Sequence, residues 1–267
     1  MSALARGLLP GLLVLGWVTS AEASTIAVIT RFTLTRDGQV LLDDTFSGPA
    51  ASLAEPRMVD GQATGYSVSG FIPDGSARDG RLSLRSADGT LSATADGRRR
   101  RITSAWLMTN GDPQNAGAGL KVGSTFALSA VFDLVAPGGS VEGYGIGLGA
   151  GAGPRRAGHV VSLFVFRNEG GDVVLRFFHQ DFEAHRQHVI AEPPLDVTAG
   201  DQIRLVLSRA SLASPEVTAQ YQLLRAGAPT SALIGLGNGA PVFGGAQRNW
   251  TRPEFFVFEQ VARDPPR

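Results

Sequence analysis

The chain has 267 residues, its 24 basic and 24 acidic side chains cancel, and it contains no cysteine. That excludes disulfides, thiolate metal sites and a cysteine nucleophile, and it leaves no electrostatic footprint for a nucleic-acid partner. Lys121 is the one lysine, so 23 of the 24 basic residues are arginines; scattered along a chain rich in Ala, Gly and Pro, they read as the mark of GC-rich codons rather than of anion binding.

At the start, Arg6 precedes an apolar run over residues 8–18, and Ala21-Glu22-Ala23 closes it with small residues. A basic residue, a short apolar run and a small-x-small site make a secretory signal peptide. Residues 1–23 are therefore expected to be removed, leaving 24–267 as an exported protein of the periplasm or the extracellular space. The run is too short to span a bilayer, no cysteine follows it to carry a lipid, and no apolar tail follows Val261. A soluble product with no membrane span is expected.

From Ser24 onward, apolar and polar residues alternate with a period of two, the signature of half-buried strands. Ile26, Val28, Phe32 and Leu34 fall on one face, with Arg31, Thr33 and Thr35 opposite. Asp37-Gly38 then turns the chain into Val40, Leu42 and Phe46, a hairpin with a type I′ signal. Five more Asp-Gly pairs begin at Asp60, Asp74, Asp79, Asp88 and Asp96. They are expected to link short antiparallel strands at Leu82 and Leu84, at Leu91 and Ala93, and at Ile102, Ser104, Trp106 and Met108.

Further along, Phe126, Leu128, Ala130, Phe132 and Leu134 form the cleanest one-sided strand, ended by Pro137-Gly138-Gly139. Segments 160–166 and 173–178 are apolar on both faces, as expected of central strands covered on their second side by loops or a ligand. Ile203, Leu205 and Leu207 make another one-sided strand; Val217, Ala219, Tyr221 and Leu223 a further one; residues 255–261 a last one. No stretch sustains a 3.6-residue period and no linker divides the chain. The expected fold is a single all-β domain, a two-sheet antiparallel sandwich, with the segment near 40–46 lying beside 255–261.

Several segments carry a likeness in strand order and turn placement: Asp44-Thr45-Phe46-Ser47-Gly48, Asp79-Gly80-Arg81-Leu82-Ser83-Leu84, 126–134 leading to Gly143-Tyr144-Gly145-Ile146-Gly147-Leu148, 201–207 and the final aromatic strand. Together they resemble the concanavalin A-like lectin/glucanase superfamily, over roughly residues 40–261. The resemblance implies a jelly roll whose concave sheet, in many members, holds a carbohydrate. The Glu-x-Asp-x-x-Glu motif of laminarinase-type glucanases is missing, as are a Gly-x-Ser-x-Gly elbow, a His-Glu-x-x-His pair and a phosphate loop.

Four features remain as candidate chemistry. In the first, an extended backbone through His179, Asp181, Glu183 and His185 puts these four on one strand face with Phe178 and Phe182 opposite, close enough for His179, Asp181 and Glu183 to share a divalent ion such as calcium. The plainer reading is the solvent face of a strand. The second is residues 143–153, where every second residue is glycine: bare backbone for close approach by a sugar or an aromatic ring, or a bulged strand entering a loop. Third, Arg98 to Arg101 reads as a solvated edge guard more readily than as an acidic-polysaccharide site. Last come the aromatic platforms: Trp250, in the polar stretch 247–252, and Tyr144, with Tyr66 as a lesser candidate, are the rings suited to stacking on a sugar, whereas Trp106 reads as core.

The functional expectation is an exported, non-catalytic, lectin-like domain binding a glycan or cell-envelope polysaccharide, with no cofactor unless the His179 segment holds a divalent metal such as calcium. Two alternatives stand beside it: a glycoside hydrolase or polysaccharide lyase on the same fold, and a structural envelope or matrix protein.

Overall fold

The computed structural model describes residues 24–47, 51–52, 57–59, 62–71, 83–87, 89–95, 101–108, 120–121, 124–134, 141–150, 159–168, 170–181, 186–198, 201–214, 216–241, 249–250 and 252–260. The segment read as a signal peptide lies outside them. Among the described residues every regular element is a strand, and the strands form two large antiparallel sheets, an all-β sandwich as expected.

The first sheet runs in space β17 (Ala228–Pro229), β16 (Glu216–Arg225), β15 (Asp201–Arg209), β10 (Phe126–Asp133), β1 (Ser24–Arg36), β7 (Thr90–Ala95), β6 (Ser83–Ala87) and β3 (Ala51–Ser52). Three short strands join it: β2 (Gln39–Asp44) on β1, and β18 (Ile234–Gly235) and β19 (Ala240–Pro241) on β16. The second sheet runs β14 (Arg186–Ala191), β13 (Val173–Asp181), β12 (His159–Arg167), β11 (Val141–Ala150), β21 (Arg252–Gln260), β8 (Arg101–Met108), β5 (Gln62–Phe71) and β4 (Arg57–Val59). A separate ribbon pairs β9 (Leu120–Lys121) with β20 (Asn249–Trp250).

One hydrophobic cluster draws on both sheets. The first contributes Phe32, Leu34, Phe132 and Leu205, the second Tyr144, Ile146, Leu163 and Phe177. Each such side chain contributes about 1.5–3 kcal/mol by leaving water, which is why alternate residues of β10 and β15 are held inward. A polar clip crosses between the layers as well. The buried carboxylate of Asp44 on β2 accepts the Tyr66 hydroxyl of β5 at 2.9 Å and the Phe46 amide at 2.7 Å. That second bond helps hold Phe46 at φ 53°, a left-handed conformation that bulky side chains resist.

The Asp-Gly turns form where the sequence places them, as far as they are described. Asp37 and Gly38 have φ 50° and 79°, both positive as a type I′ turn requires, and Arg36 pairs with Gln39 across it. Gly89 at φ 84° closes the β6–β7 hairpin, and Val59 pairs with Gln62, while Asp60-Gly61 itself lies outside the described residues. A further turn of this kind has Ala226 and Gly227 at φ 50° and 78° between β16 and β17; its alanine hides it from a search for Asn-Gly or Asp-Gly. The pairs at Asp74, Asp79 and Asp96 lie outside the described residues.

The structure corrects four expectations. The segment 40–46 does not lie beside 255–261 as a paired strand: β2 pairs with β1 because a two-residue turn leaves it no other neighbour, while β21 sits between β11 and β8 in the opposite sheet. Leu91 and Ile102, expected on strands linked by a hairpin turn, belong to different sheets, so the chain crosses the sandwich between β7 and β8. The inward face of β1 changes parity partway along. A register shift between Ile29 and Arg31 buries Ala27 and Ile29 before it and Phe32 and Leu34 after it, leaving Val28 half-buried. Finally, β11 is not bulged, since its register with β12 and β21 runs unbroken from Gly143 to Gly149.

Candidate functional site

On the outer face of the first sheet, the residues that alternate with the core face form rows across four strands. One row is Arg31, Val131, Arg204 and Gln222; the next is Thr33, Ser129, Val206 and Gln220. Val40 and Asp43 of β2 stand on one side, Gly227 and Pro229 at the β16–β17 turn on the other, and between them lies a trough of about 520 Å³. That volume is within the range of about 300–1,000 Å³ usual for small-molecule sites. Val40, 64% exposed, is a large apolar side chain presented to this space.

Most polar groups of the trough are held in place. The Thr33 and Ser129 hydroxyls share a 2.6 Å hydrogen bond, and the Gln222 amide donates to the Ser231 carbonyl at 3.1 Å. Gln202 donates to Asp133 at 2.7 Å and accepts the Gly227 amide at 3.1 Å. Arg31 and Asp43 form two parallel bonds of 2.7 and 2.5 Å. The guanidinium's hydrogen bonds keep the Asp43 carboxyl below its ordinary range, and the carboxylate raises Arg31 in turn. Among the described residues Asp43 is the one carboxylate lining the trough, and it is already paired. Glycoside hydrolysis ordinarily needs two carboxyl groups flanking the bond, one of them protonated. Fixed amides and hydroxyls beside apolar Val40, Val131, Leu224 and Pro229 suit a ligand with hydroxyl rims and C–H faces.

The histidine segment is arranged differently from the expectation. His179 follows Leu175 and Phe177 along the inward face of β13, and it is 6% exposed, not set on a solvent-facing row. Period two carries this out: with Leu175 and Phe177 pulled into the core, every second residue must follow. Its ring stacks on His188 of β14, centroids 6.0 Å apart and planes at 16°. Asp181 ends β13; Glu183 and His185 lie outside the described residues. Calcium favours oxygen ligands, so an imidazole at the rim of an apolar row is a poor donor for it, and among the described residues no three His, Asp or Glu side chains gather as a metal site. The strand register also brings in a residue that sequence reasoning missed: His159 of β12 pairs with Asp181. Some twenty positions separate them in the chain, and only the β12–β13 pairing signals it.

Tyr144 is a core residue, not a platform for a sugar. It is fully buried, with its ring 4.9 Å from that of Phe132 in the facing sheet. Tyr66 is buried likewise, in the clip to Asp44. Trp250 lies on β20, whose backbone pairs it with Leu120 in the small ribbon rather than leaving it in an irregular loop. The glycines of β11 face outward, and the space over Gly145 is taken by β12: a Cβ there would stand 2.4 Å from both the Leu163 oxygen and Phe164 Cβ. An aromatic neighbour thus makes the close approach. Phe164, Phe166 and Phe178 pack together on this face, 5.4 and 6.4 Å between ring centroids, and Arg176 lies 4.3 Å over the Phe166 ring while donating to Glu192. Segments 160–166 and 173–178 are apolar on both faces because their outer side chains cover one another.

Searches of known families, curated proteins and solved structures find no match to this chain.

Proposed function

We propose that the protein is an exported, non-catalytic, lectin-like domain of the concanavalin A-like jelly-roll kind, and that it binds carbohydrate in the trough on the outer face of its eleven-stranded sheet. The observation that carries this reading is the lining of the trough: amides of Gln202 and Gln222 and hydroxyls of Thr33 and Ser129, fixed by their own hydrogen bonds, next to small apolar surfaces. Pre-set polar groups hold their geometry without further entropy loss when a ligand arrives, and apolar strips between them accept the C–H faces of a pyranose. The signal-like start of the chain supports export.

A glycan array with the purified protein tests the proposal, followed by calorimetry on the strongest hit. Gln222→Ala removes a fixed amide and should weaken binding about threefold to tenfold with the fold intact. Trp250→Ala should leave the affinity per folded molecule unchanged, because its strand β20 pairs with β9 and not with the strands that carry the trough. Absence of any glycan hit would overturn the reading, release of shortened fragments would favour the hydrolase or lyase alternative, and loss of binding on Trp250→Ala alone would move the site to the β9–β20 ribbon.

A further inference from the structure

Resting on the carbohydrate reading, we infer that the trough selects acidic glycans, with Arg204 as the residue that takes their carboxylate or sulfate groups. Arg204 stands in the middle of β15, exposed, on the row between Val131 and Gln222. The other charged pair in the trough is internally neutral, since Arg31 and Asp43 hold each other in a two-bond clamp. Arg204 makes no hydrogen bond or ion pair among the described residues, although it lines the same space. Among the described residues that line the trough, Arg204 is therefore the one charge without an ion-pair partner.

Its neighbours do not neutralise it. Asp43 is on β2, three strands from β15, about 14 Å at the usual strand spacing, and its charge is spent on Arg31. Asp133, opposite Gln202 on the adjacent row, keeps its charge under the Gln202 amide bond, but it makes no ion pair with Arg204 and is not among the described residues that line the trough. Asp201 pairs with Arg225. A guanidinium presents a planar fork of donors that matches a carboxylate or sulfate in two parallel bonds, and the concave wall around it keeps the bound anion partly out of water, where such bonds strengthen. Gln222 beside it and Thr33 and Ser129 on the next row would take the hydroxyls of the same or the adjoining ring. The class of ligand this arrangement fits is a uronic-acid or sulfated polysaccharide.

The test is calorimetric titration with oligogalacturonate, alginate and heparin oligosaccharides, each beside its neutral counterpart, the methyl-esterified or carboxyl-reduced uronates and desulfated heparin. At least one acidic ligand should bind about tenfold or more tightly than its neutral form, with the difference shrinking as salt is raised. Arg204→Gln keeps a polar exposed side chain on the strand and should fold normally by circular dichroism; it should abolish the preference for the acidic form. Arg204→Lys, which keeps the charge and loses the fork, should retain part of the preference. Equal affinity for acidic and neutral forms, or a preference that survives Arg204→Gln, overturns the acidic selectivity and leaves glycan binding standing. Silence toward every ligand, neutral ones included, overturns both.

Discussion

On the outer face of the first sheet, Thr33, Ser129, Arg204 and Gln222 stand in rows; on the outer face of the second, the comparable rows hold Phe164, Phe166 and Phe178 beside the bare backbone of Gly145. Both faces obey the same period of two and lie over the same core. On the polar face Thr33 and Ser129 bond each other and Gln222 bonds the Ser231 carbonyl, while Arg204 makes no such bond among the described residues, and between β2 and the β16–β17 turn the face stays open as a trough. The aromatic face closes on itself, because glycine lets the next strand's phenylalanine lean inward and an Arg176 guanidinium covers what remains. A sandwich thus has two outer faces with separate fates: one covered by its own rings, the other left as a place for a ligand.

That contrast depends on the two layers being clamped in one orientation, so the largest effect is expected at the clip between them. Asp44→Ala strands two buried donors, the Tyr66 hydroxyl and the Phe46 amide, and releases the left-handed Phe46; a loss of about 4 kcal/mol in urea unfolding is expected. Tyr66→Phe, which removes one bond, should cost about 1–2 kcal/mol. Equal stability of Asp44→Ala and the parent would show that the layers need no such link.

Next in size is Gly145→Ala, which drives a methyl into the Leu163 carbonyl and Phe164 and should destabilise by about 3 kcal/mol, detected as a lower urea midpoint with an unchanged slope. Its counterpart on the open face, Thr33→Val, loses the bond to Ser129 and should cost only about 1 kcal/mol. If the two substitutions cost the same, the packed and open faces are not energetically distinct.

The smallest effect concerns the Arg31–Asp43 pair at the edge of the trough. Because the folded Asp43 carboxyl titrates below its ordinary value, the pair's contribution is complete above about pH 4 and is lost as the pH falls through the depressed folded value. With Arg31 53% and Asp43 27% exposed at the side chain, that contribution stays under about 1 kcal/mol. Stability measured from pH 6 to pH 2.5 should show the gap between the parent and Asp43→Asn closing at the acid end. A gap that stays constant would mean that Asp43 is not held ionised by Arg31.

The order of these effects follows what each face does with its side chains, and so does the legibility of the site in the sequence. His179 and Tyr144 were visible as chemically able residues, but their side chains point into the core, where Leu175, Phe177 and Phe132 take their partners' places beside them. Arg204, by contrast, is one arginine among many along the chain, and nothing local distinguishes it. Its standing comes from which residues flank it on β10 and β16 and from the pairing that occupies the other charges nearby.

The sequence by itself determined the strand class, the alternation that buries Phe126, Leu128, Ala130 and Phe132, and the turns at Asp37-Gly38 and Gly89. These are local properties: a two-residue period and a tolerance for positive φ act within a few positions. Only the tertiary structure decided that β2 pairs with β1 and β21 with β11 and β8, that a shift near Thr30 reverses the inward face of β1, and that Arg204 has no ion-pair partner among the described residues while Asp43 has one. Strand pairing is a competition among distant segments with nearly equal local preference, settled by how their side chains interlock across the whole sandwich.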